Sequence, residues 1–117
     1  MFSAACHCGA VEVQFARKPR QLTQCTCSIC RRYAALWAYF TTNTAQITRG
    51  WPDQVVGYSW KIRKFAFYHC SSCGCVVFYR GTGNRRLAVN ARMLPREDIE
   101  GVRVRTFDGA KSWRYID

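Results

Sequence analysis

The sequence predicts a small, mainly β domain of antiparallel sheets organised around cysteine sites, and three observations point there. Short alternating apolar segments recur along the chain with turn residues between them, the pattern of short strands. The length of 117 residues allows one core at residues 1–117 and is too little for two. The 8 cysteines fall in tight clusters, a second organising force for so small a core. With 49% hydrophobic and 21% charged residues, the composition excludes disordered and collagen-like classes.

The elements follow in chain order. Gly9 and Ala10 lead into a clean alternation at 11–15, a half-buried strand. A basic turn around Pro19 comes next, then a loop holding Cys25, Cys27 and Cys30. Residues 31–35 suit one helical turn, and 36–42 form an aromatic-rich strand. A turn at 48–52 precedes strands at 55–58 and 64–69. Residues 70–74 make a cysteine knuckle, and 75–79 read as a buried strand. A turn at 81–84 returns the chain through a strand at 87–91. Pro95 and Gly101 bracket a short helix at 95–100, and the last alternating strand spans 102–107 before Asp108 and Gly109.

Clustering argues for bound metal over disulfides. Bridges gain most by tying distant segments together, whereas C-x-C and C-x2-C spacings point several thiolates at one place, as a soft cation requires. The first residues lack the basic and long apolar regions of a secretory signal, so a reducing, cytoplasmic compartment is expected. The longest apolar run, at 33–40, is too short to cross a bilayer, and no membrane association is expected.

Counting ligands divides the cysteines. Cys6 and Cys8, two apart on an extended segment, point to one side. Cys70 and Cys73 form a knuckle completed by Gly74, which can take a positive φ. Together these four make a closed structural zinc site. Cys25, Cys27 and Cys30 supply three thiolates to a second zinc and leave one position for water or substrate, as catalytic sites do. Other readings of the trio stand beside this one: recruitment of Cys75 or a histidine into a second closed site, an empty trithiol, or a redox-active pair. His7 and His69 read as surface residues or as neighbours of a ligand rather than ligands, and Cys75 as a buried, inert thiol. Trp37, Tyr39 and Trp113 are aromatics that could wall a pocket.

Eighteen Lys and Arg against 7 Asp and Glu give a formal charge of +11. Two thiolate-bound zincs would reduce it to about +8. The basic residues are scattered, including Arg31, Arg32 and a run at 61–64, with no block typical of a nucleic-acid tail.

The segments Cys6-His7-Cys8-Gly9-Ala10-Val11, Cys25-Thr26-Cys27-Ser28-Ile29-Cys30-Arg31-Arg32 and Cys70-Ser71-Ser72-Cys73-Gly74 resemble the glutathione-dependent formaldehyde-activating enzyme family, which includes the centromere protein V group. Val89-Asn90-Ala91-Arg92 and Phe107-Asp108-Gly109 extend the likeness over most of the chain. The resemblance implies a Mss4-like β fold and the same division, with a structural zinc on Cys6, Cys8, Cys70 and Cys73 and a catalytic zinc on Cys25, Cys27 and Cys30. Cys75 departs from the family pattern, where a small hydroxyl residue is usual.

The expected activity is of carbon–sulfur lyase type, adding glutathione or a related thiol to formaldehyde or a related aldehyde at the open zinc. Arg31 and Arg32, directly after the third ligand, would pair with glutathione carboxylates or else form a solvated surface. The competing readings are a zinc-stabilised binding module whose basic surface meets nucleic acid or an acidic partner, and a redox or metal sensor built on the trio. No aromatic-basic motif of the RNP kind supports nucleic acid.

Overall fold

A computed structural model describes residues 1–59 and 64–117; residues 61–63 of the basic run lie outside the described residues. Strands and helices are numbered in chain order. A three-stranded antiparallel sheet has the order β1 (Phe2–Ala5), β2 (Glu12–Phe15), β5 (Ala45–Arg49). A seven-stranded sheet runs β10 (Arg103–Phe107), β3 (Gln21–Cys25), β4 (Trp37–Thr41), β9 (Arg86–Asn90), β8 (Val76–Gly81), β7 (Phe65–Cys70), β6 (Val55–Tyr58). Its neighbours are antiparallel except β10 and β3, which pair in parallel from Arg103↔Gln21 to Phe107↔Cys25. The mainly β expectation holds.

Alternation along these strands separates two cores. On one side, Ala4, Val13 and Phe15 of the small sheet pack with Leu22, Phe78, Leu87 and Val89 of the large one. On the other, Trp37, Phe67, Tyr79 and Ala88 gather with Cys30. Trp37, Phe15 and Phe78 are fully buried, each contributing about 1.5–3 kcal/mol of apolar transfer energy. Cys25 and Cys27 pack against this second core.

Short helices carry the irregular chain. α1 (Ser28–Tyr33) begins three residues before the predicted helical turn and stops at Ala34, whose φ of 53° is left-handed. Its N-cap is Cys27, whose sulfur accepts from the Cys30 N–H at 3.5 Å, so a thiol stands where a hydroxyl or carboxylate is usual. α2 (Arg96–Ile99) matches the predicted short helix, with Gly101 beyond it at a φ of 79°. A 3-10 turn (Ala91–Met93) follows β9.

Three strands lay outside the predicted pattern. β1 is built of Phe, Ser and two Ala, with weak strand propensity, and is held by pairing with β2. β3 has two adjacent buried residues, Leu22 and Thr23, instead of alternation. β5 takes in Thr48 and Arg49, which the sequence assigns to a turn; the turn starts at Gly50, where the Gln54 N–H meets the Gly50 carbonyl at 3.0 Å.

Candidate functional site

Hairpin ends from the two sheets meet at the first cysteine cluster. Cys6 and Cys8 lie in the β1–β2 connection, and Cys70 and Cys73 at the end of β7 and in the turn to β8. Their four Sγ atoms lie within 4.8 Å of one another. Cys6 and Cys8 are joined by a tight turn, with the Gly9 N–H on the Cys6 carbonyl at 3.0 Å and Gly9 at a φ of 82°, not by the extended segment expected. The second turn repeats this device: the Gly74 N–H meets the Cys70 carbonyl at 2.9 Å, and Gly74 has a φ of 80°.

Backbone N–H groups converge on these sulfurs. Val11 donates to Cys6 Sγ at 3.3 Å and Ser72 to Cys70 Sγ at 3.4 Å. N–H groups of Cys75 and Cys8 hold the Cys73 thiol down to about 5, and those of Cys73 and Ser72 lower Cys70. The Sγ separations Cys6–Cys8 and Cys8–Cys70 are 3.7 and 3.6 Å. Corners of a tetrahedron around an ion bonded at about 2.3 Å, the zinc–thiolate length, lie about 3.8 Å apart. A disulfide would need about 2.05 Å, and all eight cysteines are free. This cluster could hold a metal ion.

Cys25, Cys27 and Cys30 form the second cluster, again with all Sγ atoms within 4.8 Å. Cys25 ends β3, Cys27 caps α1 and Cys30 is buried in the helix. The Trp37 indole donates to Cys30 Sγ at 3.4 Å. The Cys30 thiol, with the Cys27 and Gly109 N–H groups, draws Cys25 down to about 6. Cys30 moves the opposite way, pushed far up by its hydrogen bond to Cys25 and by burial. The trio thus concentrates negative charge on Cys25, and it too could hold a metal ion.

The trio opens on a cleft of about 1010 Å³; none of the four cysteines of the first cluster lines it. Trp37 and Tyr39 of β4, Phe67 of β7 and Tyr79 of β8 form its floor and wall. Phe107, Trp113 and Tyr115 also line it, with Phe107 packed edge-on against the other two rings. Trp37, Tyr39 and Trp113, singled out from sequence, all contribute. Burial raises the Tyr79 phenol, which hydrogen-bonds to Arg86. Among the described residues, Lys64 and Arg86 are the cations that line the cleft. Arg31 and Arg32 are exposed on α1 and do not line it; Arg32 instead donates to the Ser28 carbonyl at 2.9 Å.

Neighbouring motifs hold the trio. Asp108 accepts from Thr26 Oγ1 at 2.9 Å and from Ser112 N–H and Oγ at 3.1 and 3.0 Å, fastening the 108–112 loop beside the cysteines. Buried Asn90 accepts from the Leu36 and Arg92 N–H groups and donates to the Val76 carbonyl. Arg92 Nε donates to the Ala34 carbonyl at the end of α1. The sequence marks these residues through the segments 89–92 and 107–109, but nothing in their types reveals these roles.

His7 is exposed and His69 half-buried in β7, and both clusters consist of cysteine alone. Cys75 is half-buried rather than buried as expected, because it lies beside the first cluster, where the His7 N–H and the Cys73 thiol contact its sulfur. Among the described residues no helix is long and apolar enough to cross a membrane.

Comparison with known proteins agrees with this geometry. No curated protein matches the sequence. The crystal structure of a Rhodobacter sphaeroides protein superposes with a TM-score of 0.71 at 26% identity, covering 87% of this chain and 98% of that one. The family described as glutathione-dependent formaldehyde-activating enzyme matches residues 1–107, which include every cysteine of both clusters. The chain therefore belongs to the glutathione-dependent formaldehyde-activating enzyme family.

Proposed function

We propose that residues 1–117 form a single zinc-binding domain acting as a carbon–sulfur lyase-type enzyme, which adds glutathione or a related thiol to formaldehyde or a related small electrophile. The observation that carries this reading is an inequality: the three-cysteine cluster lines the cleft, and the four-cysteine cluster does not. Four thiols complete a tetrahedron and suit a structural zinc; three leave a position for an outside ligand. The reading includes two zincs per chain and a reducing, cytoplasmic setting, and the two sets of free thiols support it.

Zinc bound by Cys25, Cys27 and Cys30 would supply the Lewis acidity that stabilises a substrate thiolate at neutral pH. The chain's own residues do the rest. Trp37 fixes Cys30 through its indole N–H, and Gly109 fixes Cys25 through its backbone N–H. The aromatic walls exclude water and hold the two reactants together, the main requirement for so easy an addition. In the addition a carbon–sulfur bond forms, the carbonyl π bond breaks, and the thiol proton ends on the former carbonyl oxygen. Tyr79, kept protonated by burial, is the hydroxyl assigned to that oxygen as hydrogen-bond donor. Among the described residues, Lys64 and Arg86 are the cations available to substrate carboxylates, in place of Arg31 and Arg32.

The test is zinc quantification on wild type, Cys27→Ser and Cys73→Ser, with an assay for the formaldehyde–glutathione adduct. Cys27→Ser is expected to lose one zinc and the activity while remaining folded, and Cys73→Ser to unfold. Full activity in folded, zinc-depleted Cys27→Ser overturns the proposal.

A further inference from the structure

A second groove, of about 1380 Å³, opens beside the cleft. The two share Tyr39, Phe65 and Arg86 and so adjoin at these three side chains. Arg17, Lys18 and Arg20, from the connection between β2 and β3, line this groove with Arg85, from the turn into β9, and Arg86, the first residue of β9. All five side chains are exposed. Among the described residues, no Asp or Glu lines either the groove or the cleft. The ion pairs among the described residues, Arg49–Glu12 and Arg105–Asp117, involve none of the five.

This charge pattern discriminates between thiols. A peptide thiol such as glutathione carries two carboxylates and one ammonium, and the ammonium finds no carboxylate partner along either wall. Five cations without counter-charges instead match a ligand that is anionic throughout its length. Arginine, four of the five, fits phosphate oxygens with paired N–H donors. Arg86 also lies 5.4 Å over the Tyr39 ring, which leaves an aromatic face and a cation together at the junction.

We propose that groove and cleft together bind a thiol carried on a phosphate-bearing scaffold, with its phosphates along Arg17, Lys18, Arg20 and Arg85 and its sulfur at Cys25, Cys27 and Cys30. The sulfur end rests on the reading of the cleft given above; the phosphate end does not.

Calorimetric titration of the zinc-loaded protein with three probes tests both ends: coenzyme A (thiol and phosphates), glutathione (thiol alone) and inorganic pyrophosphate (phosphates alone). Coenzyme A is expected to bind at least about tenfold more tightly than glutathione. Pyrophosphate is expected to bind and to compete with coenzyme A. Joint charge reversal, Arg20→Glu with Arg85→Glu, is expected to remove the preference for coenzyme A. In Cys27→Ser, pyrophosphate binding should persist while the added affinity of coenzyme A is lost. Absence of pyrophosphate binding to wild type overturns the phosphate groove, whatever the trio does. Pyrophosphate binding with coenzyme A unaffected by Cys27→Ser overturns the shared ligand through its sulfur end. A short single-stranded oligonucleotide that binds more tightly than coenzyme A and is equally sensitive to the charge reversal also overturns it, making the groove a nucleic-acid track.

Discussion

Gly109 lies against Cys25 so closely that a β-carbon on it would stand 2.7 Å from the Cys25 sulfur and 3.2 Å from the Cys27 β-carbon. The backbone there reaches the cluster only because it bears no side chain. Gly109→Ala must displace the sulfur or the loop. Its expected outcome is loss of metal from the trio and about a hundredfold fall in activity, the scale of a misplacement of about 1 Å. Metal at the four-cysteine cluster should be retained. Metal stoichiometry and the adduct assay, measured on the same sample, check this.

Trp37 is 1% exposed and donates its indole N–H to Cys30. Trp37→Phe keeps an aromatic ring but removes that donor and leaves a void against Tyr79, whose ring centroid is 4.8 Å away. A stability loss of about 1–3 kcal/mol is expected, with faster metal release from the trio. Urea unfolding and transfer of metal to a chelator measure the two effects separately.

Asn90 serves two backbone N–H groups and one carbonyl while 3% exposed. Asn90→Ala strands those partners, at a cost of about 2–4 kcal/mol. Asn90→Asp restores the acceptor but not the donor to Val76, and should recover part of the loss. Denaturation midpoints of the two variants are the measurement.

The Ser112 N–H, with the Thr26 hydroxyl, holds the Asp108 carboxyl below its ordinary value of 3.8. A carboxylate depressed in the folded state stabilises it above the unfolded-state pKa, and this contribution disappears as pH falls through the folded value. The difference in Tm between wild type and Asp108→Asn should therefore be constant above about pH 5 and shrink as pH drops below about 4. A difference that grows on acidification would contradict the assignment.

Arg31→Ala and Arg32→Ala should leave the KM for the thiol within about twofold, whereas Arg86→Ala should raise it about tenfold, the scale of a charge-assisted hydrogen bond. Steady-state kinetics at saturating aldehyde decides the point.

That last contrast shows where sequence stops being legible. Arg31 and Arg32 adjoin Cys30 in the chain, but each helical residue turns about 100°. A buried Cys30 therefore directs its two successors outward. Lys64 and Arg86 come from parts of the chain distant from the trio, and nothing beside them in the sequence ties them to it. The cysteine division was readable because four and three thiols at those spacings admit few partitions, and structure brings together the same two sets. Strands with clean alternation, such as β2 and β10, could be read directly. β1, β3 and β5 could not, since their small, polar or unevenly buried residues become strands only through their partners. Cys27 as a helix cap was hidden for a similar reason: its type suggested a ligand, and it is also an acceptor for an N–H.

The parallel pairing of β10 with β3 has a consequence for the order of biosynthesis. Cys25 emerges from the ribosome early, but the strand that flanks it, at Arg103–Phe107, is made about eighty residues later. The four-cysteine cluster has all its sulfurs once Cys73 has been translated. Nascent chains thus contain all four cysteines of the cluster between the two sheets about thirty residues before the strand that flanks Cys25.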